Sequence, residues 1–160
     1  MAIKEGDKLP EATFMTFGPE GPRPITTDEV FKGRRVALLA VPGAFTPTCS
    51  EKHLPSFVEH FQRFRDKGIE VACLSVNDPF VMQAWGKSQD VPDGMMMLAD
   101  GNAEFTRALG LELDASSYGM GTRAKRFALY AEDGVVRHLC VEAPGEYRVS
   151  SAEHMLEQIG

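Results

Sequence analysis

Cysteine, tryptophan and long apolar runs are all scarce in this sequence, and each shortage excludes a class of protein. Three cysteines in 160 residues are few and odd in number, so the disulfide framework of a small secreted protein is not expected. No run approaches the roughly 18 apolar residues that a membrane-spanning helix needs. The N-terminal residues also lack the apolar core of a signal peptide. We therefore expect a protein of a reducing compartment, the cytoplasm, without a membrane segment.

Basic charge is scarce too. The chain has 17 lysines and arginines against 23 acidic residues, and its net charge is −6 at pH 7. Because nucleic-acid binding relies on a basic face that neutralises phosphates, a nucleic-acid partner is not expected. With 43% hydrophobic and 25% charged residues, the composition is ordinary for a globular domain. No repeat or linker divides the chain, and we predict a single domain over residues 1–160.

Several apolar runs predict strands. Residues 36–41 form a continuous apolar run between turn residues, which is typical of a strand buried on both faces. The mostly apolar residues 69–76 and the apolar run at residues 95–99 are further strand candidates. Residues 127–130 and 135–141 flank the tripeptide Glu-Asp-Gly, a strong signal for a β-hairpin.

Helical periodicity is clearest after the first buried run. Residues 54–64 carry an apolar stripe at spacings of three and four, so we predict one helix from Cys49 to Gly68. Pro55 lies inside this pattern and should bend the helix, because it lacks a backbone donor. Further helices are predicted at residues 27–31, from residue 79 onward, at 103–109 and at 151–159.

The order of these elements predicts an α/β protein with a central mixed sheet and helices on both faces. An alternating run at residues 12–17 is followed by the turn-forming string GPEGPRP. It adds an N-terminal hairpin or loop at the edge of the domain.

The stretch at residues 42–57, PGAFTPTCSEKHLPSF, joins the first buried run to the first long helix. It places Cys49 near a helix N-terminus, where unpaired backbone N–H groups and the helix dipole favour a thiolate. Thr46 precedes Cys49 in a loop that two prolines stiffen, so its hydroxyl could reach the sulfur or an oxygen bound beside it. We infer that Cys49 is a nucleophile.

The string PGAFTPTC at residues 42–49 resembles the P-x-x-x-T-x-x-C active-site loop of the peroxiredoxins. The longer string VPGAFTPTCSEKHLP resembles their type II, or class 5-like, atypical branch. The resemblance extends through residues 73–87, 97–111 and 122–134, and so covers nearly the whole chain. It implies a thioredoxin-like fold and a thiol peroxidase for hydrogen peroxide and alkyl hydroperoxides, with no bound cofactor or metal.

The resemblance also implies a role for each residue of the site. Cys49 matches the peroxidatic cysteine, whose thiolate attacks a peroxide oxygen and becomes a sulfenic acid. Thr46 matches the hydroxyl that bonds sulfur and peroxide, and Pro42 matches the residue that shields the pocket. The family's arginine is assigned to Arg126, with Arg123 as its rival. A guanidinium suits the role, because its fixed charge favours a thiolate and its planar fork holds two oxygens.

The resemblance leaves two routes for reducing the sulfenic acid. Cys73 matches the resolving cysteine of plant-type members, which would form a Cys49–Cys73 disulfide that thioredoxin reduces. Near the C-terminus, where other members carry a resolving thiol, this chain has Ser150 and Ser151. We favour glutathione and glutaredoxin as the external reductants, because residues 71–74 are predicted to form a buried strand and buried thiols are usually inert.

Three other functions compete with a peroxidase. His53 follows Cys49 by four residues, so the two could form a Cys–His pair of the hydrolase type, but no partner that orients the imidazole is apparent. A thiol–disulfide oxidoreductase would need C-x-x-C, and Thr46 stands where the second cysteine should be. A non-catalytic redox-binding module would tolerate the loss of Cys49.

Four aromatic residues have open roles. Phe45 and Phe127 either line an apolar peroxide pocket or pack in the core. The resemblance implies a homodimer that forms through the loops around the active site. Phe45, Phe80 and Trp85 could supply the apolar contacts of that dimer.

Overall fold

The computed structural model describes residues 2–160, and a seven-stranded sheet forms its centre. In chain order the elements are β1 (Thr13–Gly18), β2 (Gly21–Thr26), α1 (Thr27–Phe31), β3 (Arg35–Val41), a π-helical turn (Cys49–His53), α2 (Leu54–Glu59), α3 (Phe61–Asp66), β4 (Ile69–Ser75), α4 (Pro79–Ser88), β5 (Met96–Ala99), α5 (Glu104–Leu109), β6 (Glu112–Asp114), a 3-10 turn (Ser116–Tyr118), β7 (Thr122–Ala124), β8 (Phe127–Glu132), β9 (Val135–Val141) and α6 (Ala152–Ile159).

The strands of the main sheet lie in the order β2-β1-β5-β4-β3-β8-β9. β3 and β4 are parallel, as are β4 and β5, whereas the other neighbouring pairs are antiparallel. The sheet is therefore mixed, as the sequence predicted. The N-terminal hairpin, β1 and β2, is also confirmed, and it extends the sheet at one edge.

The two faces of the sheet bury two separate cores. In β3, residues 36–41 are fully buried, and alternate residues face opposite sides because side chains alternate along a strand. Ala37 and Leu39 pack with residues of α2, α3, α4 and α6, whereas Val36 and Leu38 pack with residues of α1 and α5. The prediction of a strand buried on both faces is confirmed. Within residues 2–160, no helix has the length and apolar character to cross a bilayer.

The prediction of a single long helix from Cys49 to Gly68 is wrong, because the structure divides this region into a π-helical turn and two short helices. A π-helical turn comes first, and α2 then carries Pro55 in its first turn. The missing N–H of a proline costs little at that position. The second break falls at His60, whose backbone leaves the helical region at φ −99° and ψ 10°. The short strands β6 and β7, which form a separate two-stranded sheet, had no sequence prediction.

Candidate active site

Cys49 is the first residue of the π-helical turn, and its side chain is fully buried. β3 ends at Val41, and residues 42–48 carry the chain from the carboxyl end of that strand to the thiol. This edge of an open α/β sheet is where ligands commonly bind. The sequence prediction of a thiol at the junction of a strand and a helix is confirmed, with the difference that the first helical turn is a π-turn.

Two elements hold the segment around Cys49 in place. The backbone N–H of Ala44 donates to Oδ1 of Asn77 at 3.0 Å, and the Ser75 hydroxyl donates to the same oxygen at 2.5 Å. On the other side of the thiol, the indole Nε1 of Trp85 donates to Oγ of Ser50 at 2.9 Å. The loop is therefore tied to the end of β4 and to α4, which limits its freedom to move.

Thr46 lies in the same loop, and its hydroxyl makes a local bond. Oγ1 of Thr46 donates to the carbonyl oxygen of Gly43 at 2.7 Å. Because a hydroxyl has one proton and two lone pairs, its oxygen stays available as an acceptor. Gly43 is closely surrounded, since a Cβ there would lie 2.9 Å from Nη1 of Arg123 and 3.1 Å from Cγ2 of Thr46.

Of the two candidate arginines, Arg126 reaches the thiol. Nη2 of Arg126 donates to Sγ of Cys49 at 3.1 Å. Arg123 instead donates to two carbonyl oxygens, that of Met120 at 2.9 Å and that of Pro42 at 3.4 Å. Arg123 thus braces the loop at Pro42, and Arg126 supplies the positive charge at the sulfur.

His53 is fully buried behind Arg126. Its Nδ1 lies 2.9 Å from Nη1 of Arg126, and its Nε2 lies 2.8 Å from the carbonyl oxygen of Ser150. An arginine can only donate and a carbonyl can only accept, so the imidazole must be neutral with its proton on Nε2. Burial, and then the charge of Arg126, lower the pKa of His53 to about 3.

These contacts argue against the Cys–His pair that the sequence left open. His53 has an orienting partner that the sequence did not reveal, the Ser150 carbonyl, but its free nitrogen accepts from Arg126 and not from Cys49. A neutral imidazole bonded on both nitrogens has no free lone pair with which to take a proton from the thiol.

Sequence reasoning missed Glu142 entirely. Its carboxylate accepts hydrogen bonds from the backbone N–H groups of Arg148, Val149 and Ser150, and from the Ser150 hydroxyl at 2.6 Å. Burial alone would raise the pKa of Glu142, but the bonds from Ser150 and the neighbouring amides hold that pKa below its ordinary value. Its only sequence signal was a glutamate directly after a strand, which is too common to single out.

A cavity of about 200 Å³ opens at Arg126, and Cys49 and Thr46 are not among its lining residues. Its lining includes Pro42, Thr48, Leu113, Arg126, Ala143 and Pro144. Arg126 both lines this cavity and contacts Sγ of Cys49, so this side chain connects the cavity to the thiol. A larger groove of about 990 Å³, lined in part by β1 and Met95 to Met97, includes none of the predicted site residues.

Both aromatic residues proposed for the pocket lie elsewhere. Phe127, the first residue of β8, is fully buried in the core, and Phe45 is 56% exposed. The core alternative is therefore correct for Phe127. Trp85, suggested as a surface contact, is also fully buried, so the prediction that it supplies a dimer contact is wrong.

Cys73 and Cys140 also lie outside the cavity lining. Cys73 is fully buried in β4, opposite Leu39 of β3. Burial, and then the charge of a Cys49 thiolate, raise the pKa of the Cys73 thiol well above its ordinary value. Cys140 is half-buried in β9, and all three thiols are free. Among residues 2–160, no group of three or more His, Cys, Asp or Glu side chains is arranged to hold a metal ion.

Comparison with known proteins identifies the class first. A profile of the family described as Redoxin matches residues 4–156 of the chain. The chain is therefore a redoxin domain, and its fold is the thioredoxin-like fold that the resemblance implied. In this domain the loop between β3 and the first helical turn carries a buried thiol with a guanidinium at its sulfur.

Individual relatives narrow the class. The chain is 50% identical over 163 residues to peroxiredoxin-2E-2, chloroplastic, of Oryza sativa subsp. japonica, and the match covers 98% of this chain and 72% of the relative. It is 43% identical to peroxiredoxin-2B of Arabidopsis thaliana over 98% of each chain. The structure of reduced Prx3 in complex with H2O2 from Vibrio vulnificus matches with a TM-score of 0.94 and 46% identity over 99% of both chains. The chain belongs to the type II peroxiredoxins, which are thiol peroxidases.

Proposed function

We propose that this protein reduces hydrogen peroxide and small alkyl hydroperoxides through a sulfenic acid on Cys49. The thiolate sulfur forms a bond to the terminal peroxide oxygen while the O–O bond breaks. The sulfur is oxidised to sulfenic acid, and the leaving oxygen takes a proton from solvent and departs as water or an alcohol. The cycle needs no bound cofactor, because the electrons come from the thiol.

The observation that supports this proposal most strongly is the 3.1 Å contact between Nη2 of Arg126 and Sγ of Cys49. A guanidinium at this distance stabilises the thiolate that attacks. Its planar fork of donors can also bond the peroxide oxygen on which negative charge develops as the O–O bond breaks. One side chain therefore assists both the nucleophile and the leaving group.

Thr46 and Pro42 have complementary roles in the proposed reaction. The Thr46 proton is taken by Gly43, so the Thr46 oxygen accepts a hydrogen bond from the peroxide O–H and orients it. Pro42 lines the cavity and offers no N–H of its own, so it screens the sulfenic acid from water. A cavity of about 200 Å³ suits small hydroperoxides better than bulky lipid ones.

The central test replaces the nucleophile. Cys49→Ser should abolish peroxide reduction, because an alcohol at this position is not ionised and cannot be oxidised by a peroxide. Cys140→Ser is the matched control, since it removes a half-buried thiol, and it should retain the wild-type rate. Peroxide reduction that persists in Cys49→Ser would contradict the proposed function.

We propose glutathione and glutaredoxin as the reductants. The glutathione thiol attacks the sulfenic sulfur and releases water, and glutaredoxin then reduces the mixed disulfide. The burial and raised pKa of Cys73 support this route, because a neutral, enclosed thiol is a poor nucleophile. The alternative is a Cys49–Cys73 disulfide reduced by thioredoxin, which would require the chain around the π-helical turn to open.

Peptide mapping of peroxide-treated protein with glutathione separates the two routes. A glutathione adduct on Cys49, with turnover that depends on glutaredoxin, supports the first route. A Cys49–Cys73 disulfide, with turnover that depends on thioredoxin, supports the second. Cys73→Ser provides the control, because it should block only the second route.

We also propose that the protein is a cytoplasmic homodimer. Phe45 and Phe80 are 56% and 63% exposed, and the bond from Ala44 to Asn77 places the loop of Phe45 beside the segment that leads into α4. Phe80 is the second residue of α4, so this surface combines the Phe45 loop with the start of that helix. An exposed apolar surface of this kind favours association with a second copy. Light scattering should give a dimer for the wild type and a monomer for Phe80→Asp, and a monomeric wild type would contradict the proposal. Cell fractionation tests the compartment.

A further inference from the structure

A continuous chain of hydrogen bonds runs from Glu142 to the reactive thiol. The Glu142 carboxylate holds Ser150, the Ser150 carbonyl accepts from His53, and His53 accepts from Arg126, which donates to Cys49. We call Glu142, Ser150, His53 and Arg126 the relay. We propose that His53 and Glu142 are positioning residues that hold the Arg126 guanidinium against the Cys49 sulfur. This proposal rests on the proposed function of Arg126.

The first step concerns how the guanidinium is oriented. One terminal nitrogen, Nη2, bonds Sγ of Cys49 at 3.1 Å, and the other, Nη1, bonds Nδ1 of His53 at 2.9 Å. Because the guanidinium is planar, two contacts on its two terminal nitrogens fix both its position and its plane. Without an acceptor at Nδ1, Nη1 would be a partly buried donor without a partner, which favours rotation of the group away from the sulfur.

The second step concerns the tautomer of His53. A carbonyl cannot donate, so the Ser150 contact at 2.8 Å requires the proton to be on Nε2. The lone pair is then on Nδ1, where Arg126 needs it. The opposite tautomer would place an N–H against the guanidinium, with two donors facing each other. The Ser150 carbonyl therefore decides whether His53 can accept from Arg126.

The third step concerns how the Ser150 carbonyl is held. Residues 142–151 join β9 to α6 without helix or strand, so no regular structure fixes that carbonyl. The carboxylate of Glu142 gathers three successive backbone N–H groups, those of residues 148–150, together with the Ser150 hydroxyl. A carboxylate that accepts several such bonds orders the loop around itself.

Glu142 is also joined to Arg126 through the backbone. The N–H of Glu142 donates to the carbonyl oxygen of Arg126 at 3.0 Å. The same glutamate thus holds the main chain of Arg126 directly and its guanidinium through Ser150 and His53. The relay therefore differs from a simple packing contact, because its hydrogen bonds fix both the main chain of Arg126 and its guanidinium.

The key experiment compares two amide replacements of His53. His53→Asn places a carbonyl oxygen near the position of Nδ1 and can accept from Arg126, whereas His53→Gln places its amide near Nε2 and bonds Ser150 alone. Peroxide oxidation is followed by the fluorescence of Trp85, the one tryptophan of the chain, whose indole bonds Ser50.

We expect His53→Gln to slow peroxide oxidation by about tenfold to a hundredfold, the range for a misplaced catalytic group. His53→Asn should keep most of the wild-type rate of peroxide oxidation. Equal rates in the two variants, or a wild-type rate in His53→Gln, would overturn the proposal.

A matched pair of variants tests Glu142. Asp100 is also a buried carboxylate, and it accepts from the backbone N–H groups of Phe105 and Thr106 and from the Thr106 hydroxyl. Glu142→Gln and Asp100→Asn should both lower stability, but only Glu142→Gln should slow peroxide oxidation. Equal effects on that rate would contradict a positioning role. Should Glu142→Gln not fold, Ser150→Ala removes one bond to the same carboxylate, and a wild-type rate in that variant would also count against the relay.

A double-mutant cycle separates the relay from the function on which it rests. If His53 acts through Arg126, His53→Gln should cause no further slowing in an Arg126→Ala background, and an undiminished effect there would refute the proposal. If the wild type reduced no peroxide, the proposed function would fail while the relay remained testable. Alkylation of Cys49 in a Cys140→Ser background should still be slower in His53→Gln than in His53→Asn.

Discussion

Arg126 and Cys49 are 77 residues apart in the chain, yet Nη2 of the arginine lies 3.1 Å from Sγ of the cysteine. The pairing of β3 with β8 brings them together. Ala40, near the end of β3, lies opposite Phe127, the first residue of β8. Arg126 directly precedes β8, so this register places it beside the loop that leaves β3 and carries the thiol.

Arg126→Lys should lower the second-order rate constant for peroxide oxidation by about a hundredfold to a thousandfold, the range for loss of one donor at a developing negative charge. Lysine keeps the charge but cannot bond the sulfur, the peroxide and His53 together. Arg123→Lys is the matched control, because Arg123 contacts only carbonyl oxygens, and it should cost about tenfold or less. The assignment of Arg126 would be refuted if Arg123→Lys were the slower variant.

Thr46→Val should reduce the same rate constant by at least about tenfold, because the isosteric side chain removes the oxygen that accepts from the peroxide. It also loses the 2.7 Å bond to Gly43. Thr46→Ser keeps the hydroxyl and should stay within a few-fold of the wild type. Stopped-flow fluorescence measures both variants, and a slow Thr46→Ser with a fast Thr46→Val would exclude the proposed hydrogen bond.

Cys73→Ala should leave turnover with glutathione and glutaredoxin unchanged. The thiol is buried in the core, so its removal creates a small cavity and should lower the free energy of unfolding by about 1 kcal/mol. Steady-state peroxide consumption and urea denaturation provide the two measurements. A loss of turnover without a loss of stability would instead favour Cys73 as the resolving thiol.

Acid should destabilise the protein before its carboxylates are fully protonated. The pKa of His53 is lowered from 6.5 to about 3, so as pH falls through 6.5 the unfolded chain binds a proton that the folded protein does not. The free energy of unfolding should therefore fall by up to about 1.4 kcal/mol per pH unit until the pH nears the folded value. Glu142 adds to this loss at lower pH, because its folded pKa is also depressed.

Urea denaturation at a series of pH values between about 7 and about 4 measures this effect. His53→Asn carries no titrating group at this position, so its stability should decline less steeply over the same range. Equal slopes for the two proteins would show that His53 is protonated in the folded state.

The fold was predictable where a pattern is local. The buried strand β3 produces a continuous apolar run, because burial on both faces excludes most polar residues. The hairpin of β8 and β9 produces a turn signal between two apolar runs. The three-residue strands β6 and β7 are too short for a period to be visible. The break at His60 also left no signal, because the apolar stripe continues across it from α2 to α3.

The sequence by itself determined the loop that carries Cys49, the proposed nucleophile. Pro42, Thr46 and Cys49 are close in the chain, so their spacing specifies a short loop before a helix, and the resemblance of that loop to the peroxiredoxins implied the class of chemistry. Only the tertiary structure decided which arginine reaches the sulfur, and only it revealed His53 and Glu142 as parts of the same hydrogen-bonded network. Contacts across the chain depend on strand register and on how each loop is held, and neither leaves a mark in residue spacing.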